Sequence, residues 1–133
     1  MMRLEDLMVG DYVTHQYYYN RPVKIEYFIG SKAKTESETF EISTLKAVPI
    51  TEEFLIKNGF KYDYDIDECV SDGGRFITLK GFTYEEDGVL IDYCNGNVKV
   101  VTDFNGEIAK RMLYIHELQH AMRLCNINKE INV

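Results

Sequence analysis

In the stretch "LYIHELQHAMRLCNI", His116, Glu117 and His120 stand as H-E-x-x-H. On a helix, histidines at i and i+4 project from one face about a turn apart, so both imidazoles can reach a single metal ion. The glutamate between them can then serve as base for a metal-bound water, the chemistry of a zinc metallopeptidase. A catalytic zinc takes three protein ligands, and the third usually follows the motif. The residues that follow here, "AMRLCNINKEINV", contain no further histidine and only Glu130 as an acid. The other histidine, His15, lies near the start of the chain. The motif thus supplies two candidate ligands, His116 and His120, and a candidate base, Glu117, without an evident third ligand.

Other constellations carry less. "DYDIDECVSDGG" places Asp63, Asp65 and Asp67 as a calcium loop would, but Glu68 stands where the loop needs glycine and Gly74 where it needs a bidentate glutamate. Tyr17, Tyr18 and Tyr19 offer large amphipathic rings that stack on bases or anchor a partner, although strand tyrosines more often simply pack. Arg123 adds a cation near the histidine pair on a helical wheel. These three tyrosines and Arg123 are the candidate binding residues. Cys69, Cys94 and Cys125 form neither C-x-x-C nor an even set, so the expectation is reduced thiols.

The elements that must position these residues are mostly strands. The first turn around Leu4 and Leu7 precedes two β-branched and aromatic runs separated by Asn20, Arg21 and Pro22, which read as a hairpin. "SKAKTESETF" reads as a polar loop, and "FEISTLKAV" as a strand stopped by Pro49. Thr51 caps a short connecting helix that Asn58 and Gly59 end. Four strands are expected next, at 60–69, 74–84, 88–94 and 98–104, separated by Gly- and Asn-rich turns. Residues 107–125 lack proline and glycine and predict one long helix. On that helix Tyr114, Ile115, Leu118, Ala121, Met122 and Cys125 form the apolar stripe, and His116 and His120 lie opposite.

The fold class expected is α+β: an N-terminal β unit, a connecting helix, an antiparallel meander and a C-terminal helix. The opening "LMVGDYV" resembles the start of small SH3-like barrels, a likeness at fold level that carries no function. A chain of 133 residues with 45% hydrophobic content suits a single compact domain, with subdomains at 1–48 and 49–133 as the alternative. The 22 acidic against 15 basic residues give a net charge of −7, and the basic residues are scattered. That balance argues against duplex nucleic acid. No apolar run approaches the ~18 residues of a membrane span and the start lacks the pattern of a signal peptide, so a cytoplasmic location is expected.

"VPITEEFLIKNGF" and "YIHELQHAMRLCNI" resemble two stretches that recur in a family of small uncharacterised proteins of gut anaerobic bacteria and their phages. The likeness covers the connecting and C-terminal helices well and the strands between them loosely. In that family the position matching His120 is often Asn, which implies that the second candidate zinc ligand is dispensable. The resemblance also implies a phage or mobile-element context.

Together these readings favour a non-catalytic binding protein without a cofactor, engaging a host protein or sequestering a small ligand, with self-association open. The alternative is the zinc peptidase. Because the chain is acidic, a phosphate ligand would need a local cluster drawn from Arg21, Lys24, Lys80, Lys110, Arg111 and Arg123, so a protein partner is the better match.

Overall fold

The computed structural model describes residues 2–16, 21–102, 106–127 and 129–133. It divides into two compact units, Met1–Pro49 with Tyr114–Ala121, and Ile50–Leu113 with Met122–Val133. The chain switches units near Pro49, close to the boundary expected from sequence. The return of Tyr114–Ala121 to the first unit was not foreseen.

The first unit is built on an open antiparallel sheet of β1 (Tyr12–Thr14), β2 (Val23–Ile29), β3 (Lys32–Thr35), β4 (Thr39–Glu41) and β5 (Lys46–Ala47). Its strand order is β4-β3-β2-β1-β5, so β4 and β5 are edges and the sheet does not close into the SH3-like barrel suggested by the opening residues. The expected N-terminal hairpin is present as the β1–β2 pair, with Val13 opposite Val23. Leu7, Val13, Val23, Ile25, Ala33, Phe40, Ile42 and Leu45 form its core. The supposed loop "SKAKTESETF" contains β3. Its lysines hide the alternation that matters, because Ala33 and Thr35 are both fully buried on the inner face. "FEISTLKAV" is likewise not one strand: a 3-10 turn at Ile42–Thr44 separates β4 from β5.

In the second unit, α1 (Glu52–Lys57) begins as expected, with the Thr51 hydroxyl oxygen accepting from the Phe54 amide at 3.1 Å. Gly59 ends it at φ +87°, a backbone conformation that glycine adopts without penalty. A five-stranded antiparallel sheet follows, ordered β12-β11-β10-β9-β6. Its strands are β6 (Lys61–Tyr62), β9 (Gly81–Glu86), β10 (Val89–Cys94), β11 (Asn97–Thr102) and β12 (Gly106–Arg111). Asp87-Gly88 and Asn95-Gly96 join neighbouring strands with positive φ at both residues, the backbone of tight hairpin turns. Ile91, Tyr93, Val98 and Val100 are buried on one face of this sheet, while Asn97 and Lys99 on the other face are exposed. Strands β7 (Glu68–Asp72) and β8 (Arg75–Leu79) pair only with each other, as a two-stranded ribbon.

Three sequence expectations fail here. Residues 74–84 are not one strand but are divided between β8, in the ribbon, and β9, in the five-stranded sheet. Residues 60–69 are not one strand. Asp63 leaves the strand and accepts from the Asp65 amide at 2.9 Å, nucleating a 3-10 turn at Tyr64–Ile66. Residues 107–125 are not one helix either. Gly106–Arg111 has helix-forming side chains but pairs along β11 through six register positions, and the helix α2 runs only over Ile115–Leu124. Strand pairing with a formed neighbour outweighs a helix preference of a few tenths of a kcal/mol per residue.

Candidate functional site

The H-E-x-x-H residues lie at the beginning of α2 rather than in the middle of a long helix. The start of the helix is tied down by the Ile115 amide, which donates to the Val48 carbonyl at 2.8 Å. Glu117, at the third helical position, turns its carboxylate back to accept from the Tyr114 amide at 3.1 Å. That is the reciprocal half of a capping box, and it places the negative charge where unpaired helix amides favour it. The carboxylate that a peptidase would aim at a metal-bound water is used here to begin the helix.

His120 and Gln119 grip the backbone and side chain of one short segment, Gly10–Tyr12. The Gln119 amide is used at both ends: its oxygen accepts from the Tyr12 amide at 3.1 Å, and its nitrogen donates to the Gly10 carbonyl at 2.9 Å. Between them, His120 Nε2 donates to Asp11 Oδ2 at 2.6 Å. Asp11 is fully buried, and the same oxygen accepts from the Met8 amide at 2.8 Å. A buried carboxylate without such donors would be costly, so His120 and Met8 make the burial of Asp11 tolerable. Neither Asp11 nor Gln119 was singled out from the sequence. Nothing local in "VGDYV" distinguishes a turn aspartate from a buried one.

His116 is also buried, with 7% of its surface exposed, contrary to the outward-facing position drawn on the helical wheel. The wheel assumed one buried face, whereas Ile115, His116, Leu118, Gln119, Ala121 and Met122 are all buried. Its ring stacks on Tyr114 and meets His120 edge-on, and its Nδ1 has no hydrogen-bond partner. Burial lowers its pKa from the ordinary 6.5, against the opposing pull of the Asp11 and Glu117 carboxylates. His15 stacks on Phe40 with ring centroids 4.3 Å apart. Among the described residues, no three of His, Cys, Asp and Glu gather so as to hold a metal ion. Arg123 is half-buried in the last turn of α2. Tyr17, Tyr18 and Tyr19 lie outside the described residues.

A second site emerges in the other unit, on the solvent face of its five-stranded sheet. An open groove of about 600 Å³ lies there. Antiparallel registry explains its floor, because residues directly opposite one another point to the same face: Asp92 faces Lys99, Cys94 faces Asn97, and Lys99 and Asn97 face Ala109 and Arg111. One wall is the segment Asp65–Glu68. It is held down by Asp67, which accepts from the Gly81 amide at 2.7 Å and from the Tyr62 hydroxyl. The Asp67 carboxylate raises the Tyr62 pKa to about 12, so the phenol keeps the proton it donates. Gly81 is required at this point, since a Cβ there would lie 2.1 Å from the Ile66 side chain.

The groove therefore runs from an acidic wall, Asp65, Asp67 and Glu68, across the floor to a basic side formed by Lys99 and Arg111, with Lys110 at its rim on the alternate face of the same strand. Asp92 lies between them, and its pKa is raised by burial, with Asp63 adding to the rise and Lys99 opposing it. Among the described residues, Lys110 and Arg111 make no ion pair, and Lys99 is paired with Glu107 at 3.3 Å. Arg111 was among the scattered cations noted in the sequence, but its position opposite an acidic wall depends on the strand that was expected to be helix. Among the described residues, no helix is long and apolar enough to cross a membrane. The chain matches no family model, no curated protein and no solved structure.

Proposed function

We propose that this is a non-catalytic binding protein whose partner is an extended segment of another protein, carrying basic residues toward one end and acidic residues toward the other. The supporting observation is the groove with an acidic wall on one side and the cations Lys99 and Arg111 on the other. Opposed charged walls select the orientation of a bound chain and accelerate its encounter. An open floor on a sheet face suits an extended chain, whereas a compact small molecule calls for enclosure. The H-E-x-x-H residues do not favour the peptidase alternative. Glu117 is engaged with the Tyr114 amide and His120 with Asp11, so the residues expected to act on a metal are holding the fold.

The probe is a display library of random short peptides selected against the full chain. Enriched peptides should carry opposite charges at their two ends. Selection against an Asp65→Lys/Glu68→Lys variant should lose the basic end of that pattern and keep the acidic one, because both residues are exposed on the acidic wall. Failure to enrich any charge pattern, or enrichment of the same pattern by the variant, would remove the proposal.

A further inference from the structure

We infer that β12 pairs edge to edge with β12 of a second copy of this chain, about a two-fold axis through Ala109. The strand Gly106–Arg111 is the outermost of its sheet, bonded to β11 on one side with no strand on the other among the described residues. All six of its residues are exposed, and Ile108 leaves 58% of its surface in water. Alternate residues of such a strand turn their N–H and C=O groups outward, which makes it a template for another strand. Two of the usual protections are missing: β12 has no proline, and its register with β11 runs from Asn97–Arg111 to Thr102–Gly106 without a bulge, while its charges, Glu107, Lys110 and Arg111, are of both signs. The opposite edge of the same sheet, β6, is only two residues long.

The sequence of β12, "GEIAKR", indicates a second copy as the occupant. Two antiparallel strands related by an axis perpendicular to the sheet keep their faces, so each residue must oppose one of its own face. Centred on Ala109, this symmetry sets Glu107 of each copy opposite Arg111 of the other, twice, with the two Ala109 methyl groups meeting at the axis and Ile108 opposite Lys110. Centred on Glu107 or on Lys110, it would oppose like charges. Centred on Ile108, it would leave Glu107 facing Ala109. Charge complementarity therefore chooses one register, since opposite charges across a strand pair stabilise and like charges repel. Lys99 already sits 3.3 Å from Glu107, so the second copy's Arg111 would extend an alternating row of charges. Arg111 and Ala109 also line the groove, which means that the second copy brings its own Glu107 to the basic side of the proposed site.

Six residues of edge bury less than the ~1,000 Å² typical of a stable interface, so the dimer is reversible and weakens with salt. Sedimentation equilibrium on the full chain at low salt tests this, independently of peptide binding. The expected result is a monomer–dimer equilibrium that Glu107→Arg or Arg111→Glu each weakens by about tenfold or more, and that the double exchange Glu107→Arg/Arg111→Glu restores. Restoration also separates a lost contact from a misfolded chain. A monomer at every concentration, a dimer indifferent to the single exchanges, or one that the double exchange fails to restore would overturn the inference.

Discussion

The segment Gly10–Tyr12, where a turn enters β1 in one unit, and the ribbon β7–β8 in the other are short stretches used in opposite ways. The first is closed: Asp11 is fully buried, and Gln119 and His120 place three hydrogen bonds on three consecutive residues. The second is open. Ten residues of β7 and β8 include only Val70 and Leu79 as half-buried, and Phe76 leaves 87% of its surface in solvent. An isolated hairpin of this kind has little stability of its own in water. The difference teaches that polar side chains inside a satisfied network can hold a fold, whereas strands that bury little apolar surface contribute little to holding it.

The comparison can be tested first at its closed end. Asp11→Ala should cost about 3–5 kcal/mol, because it leaves the Met8 amide and the His120 ring without their buried acceptor. Urea unfolding followed by circular dichroism measures this, and a cost below about 1 kcal/mol would mean that the network is decorative.

A smaller effect concerns pH. His116 has its pKa lowered by burial, and Asp11, Glu117, Asp6 and His120 are the charged or titratable groups acting on it. The unfolded chain therefore takes up this proton first as pH falls below 6.5, so the contribution of His116 to stability is full above 6.5 and declines as pH falls through the lower folded value. His116→Leu should flatten that part of the stability–pH curve. An unchanged slope in the variant would show that His116 is not the group responsible.

The smallest effect is expected at the open end. Phe76→Ser should change stability by no more than about 0.5 kcal/mol, since the ring loses almost no burial. A large loss would show that the ribbon holds the fold and would dissolve the contrast.

Much of the strand content was legible in the sequence because it follows local rules. The turns at Asp87-Gly88 and Asn95-Gly96, the Thr51 cap and the Gly59 stop are each set by neighbouring residues, and the structure has them where the sequence placed them. What was not legible depends on partners distant in sequence. Residues 107–111 read as helix until β11 is beside them, and Lys32–Thr35 reads as loop until Ala33 and Thr35 are seen to be buried. The H-E-x-x-H spacing was read correctly as one helix, but the role of His120 depends on Asp11, which no periodicity connects to it. The groove was invisible for the same reason: its acidic wall had been drawn as a strand, and its basic side as part of a helix.

The assignment of Tyr114–Ala121 to the N-terminal unit bears on how the chain is made. Asp11 and His120 are 109 residues apart, so the residues that close the first unit leave the ribosome long after its sheet has emerged. Until then Asp11 has the Met8 amide as a donor and awaits His120. Strands β10 to β12, whose partners follow within a few residues, can zip as they are synthesised. The meander of the second unit can therefore form while the first unit waits for a few residues of helix to return, although the second unit too is completed only by the last residues, Met122–Val133.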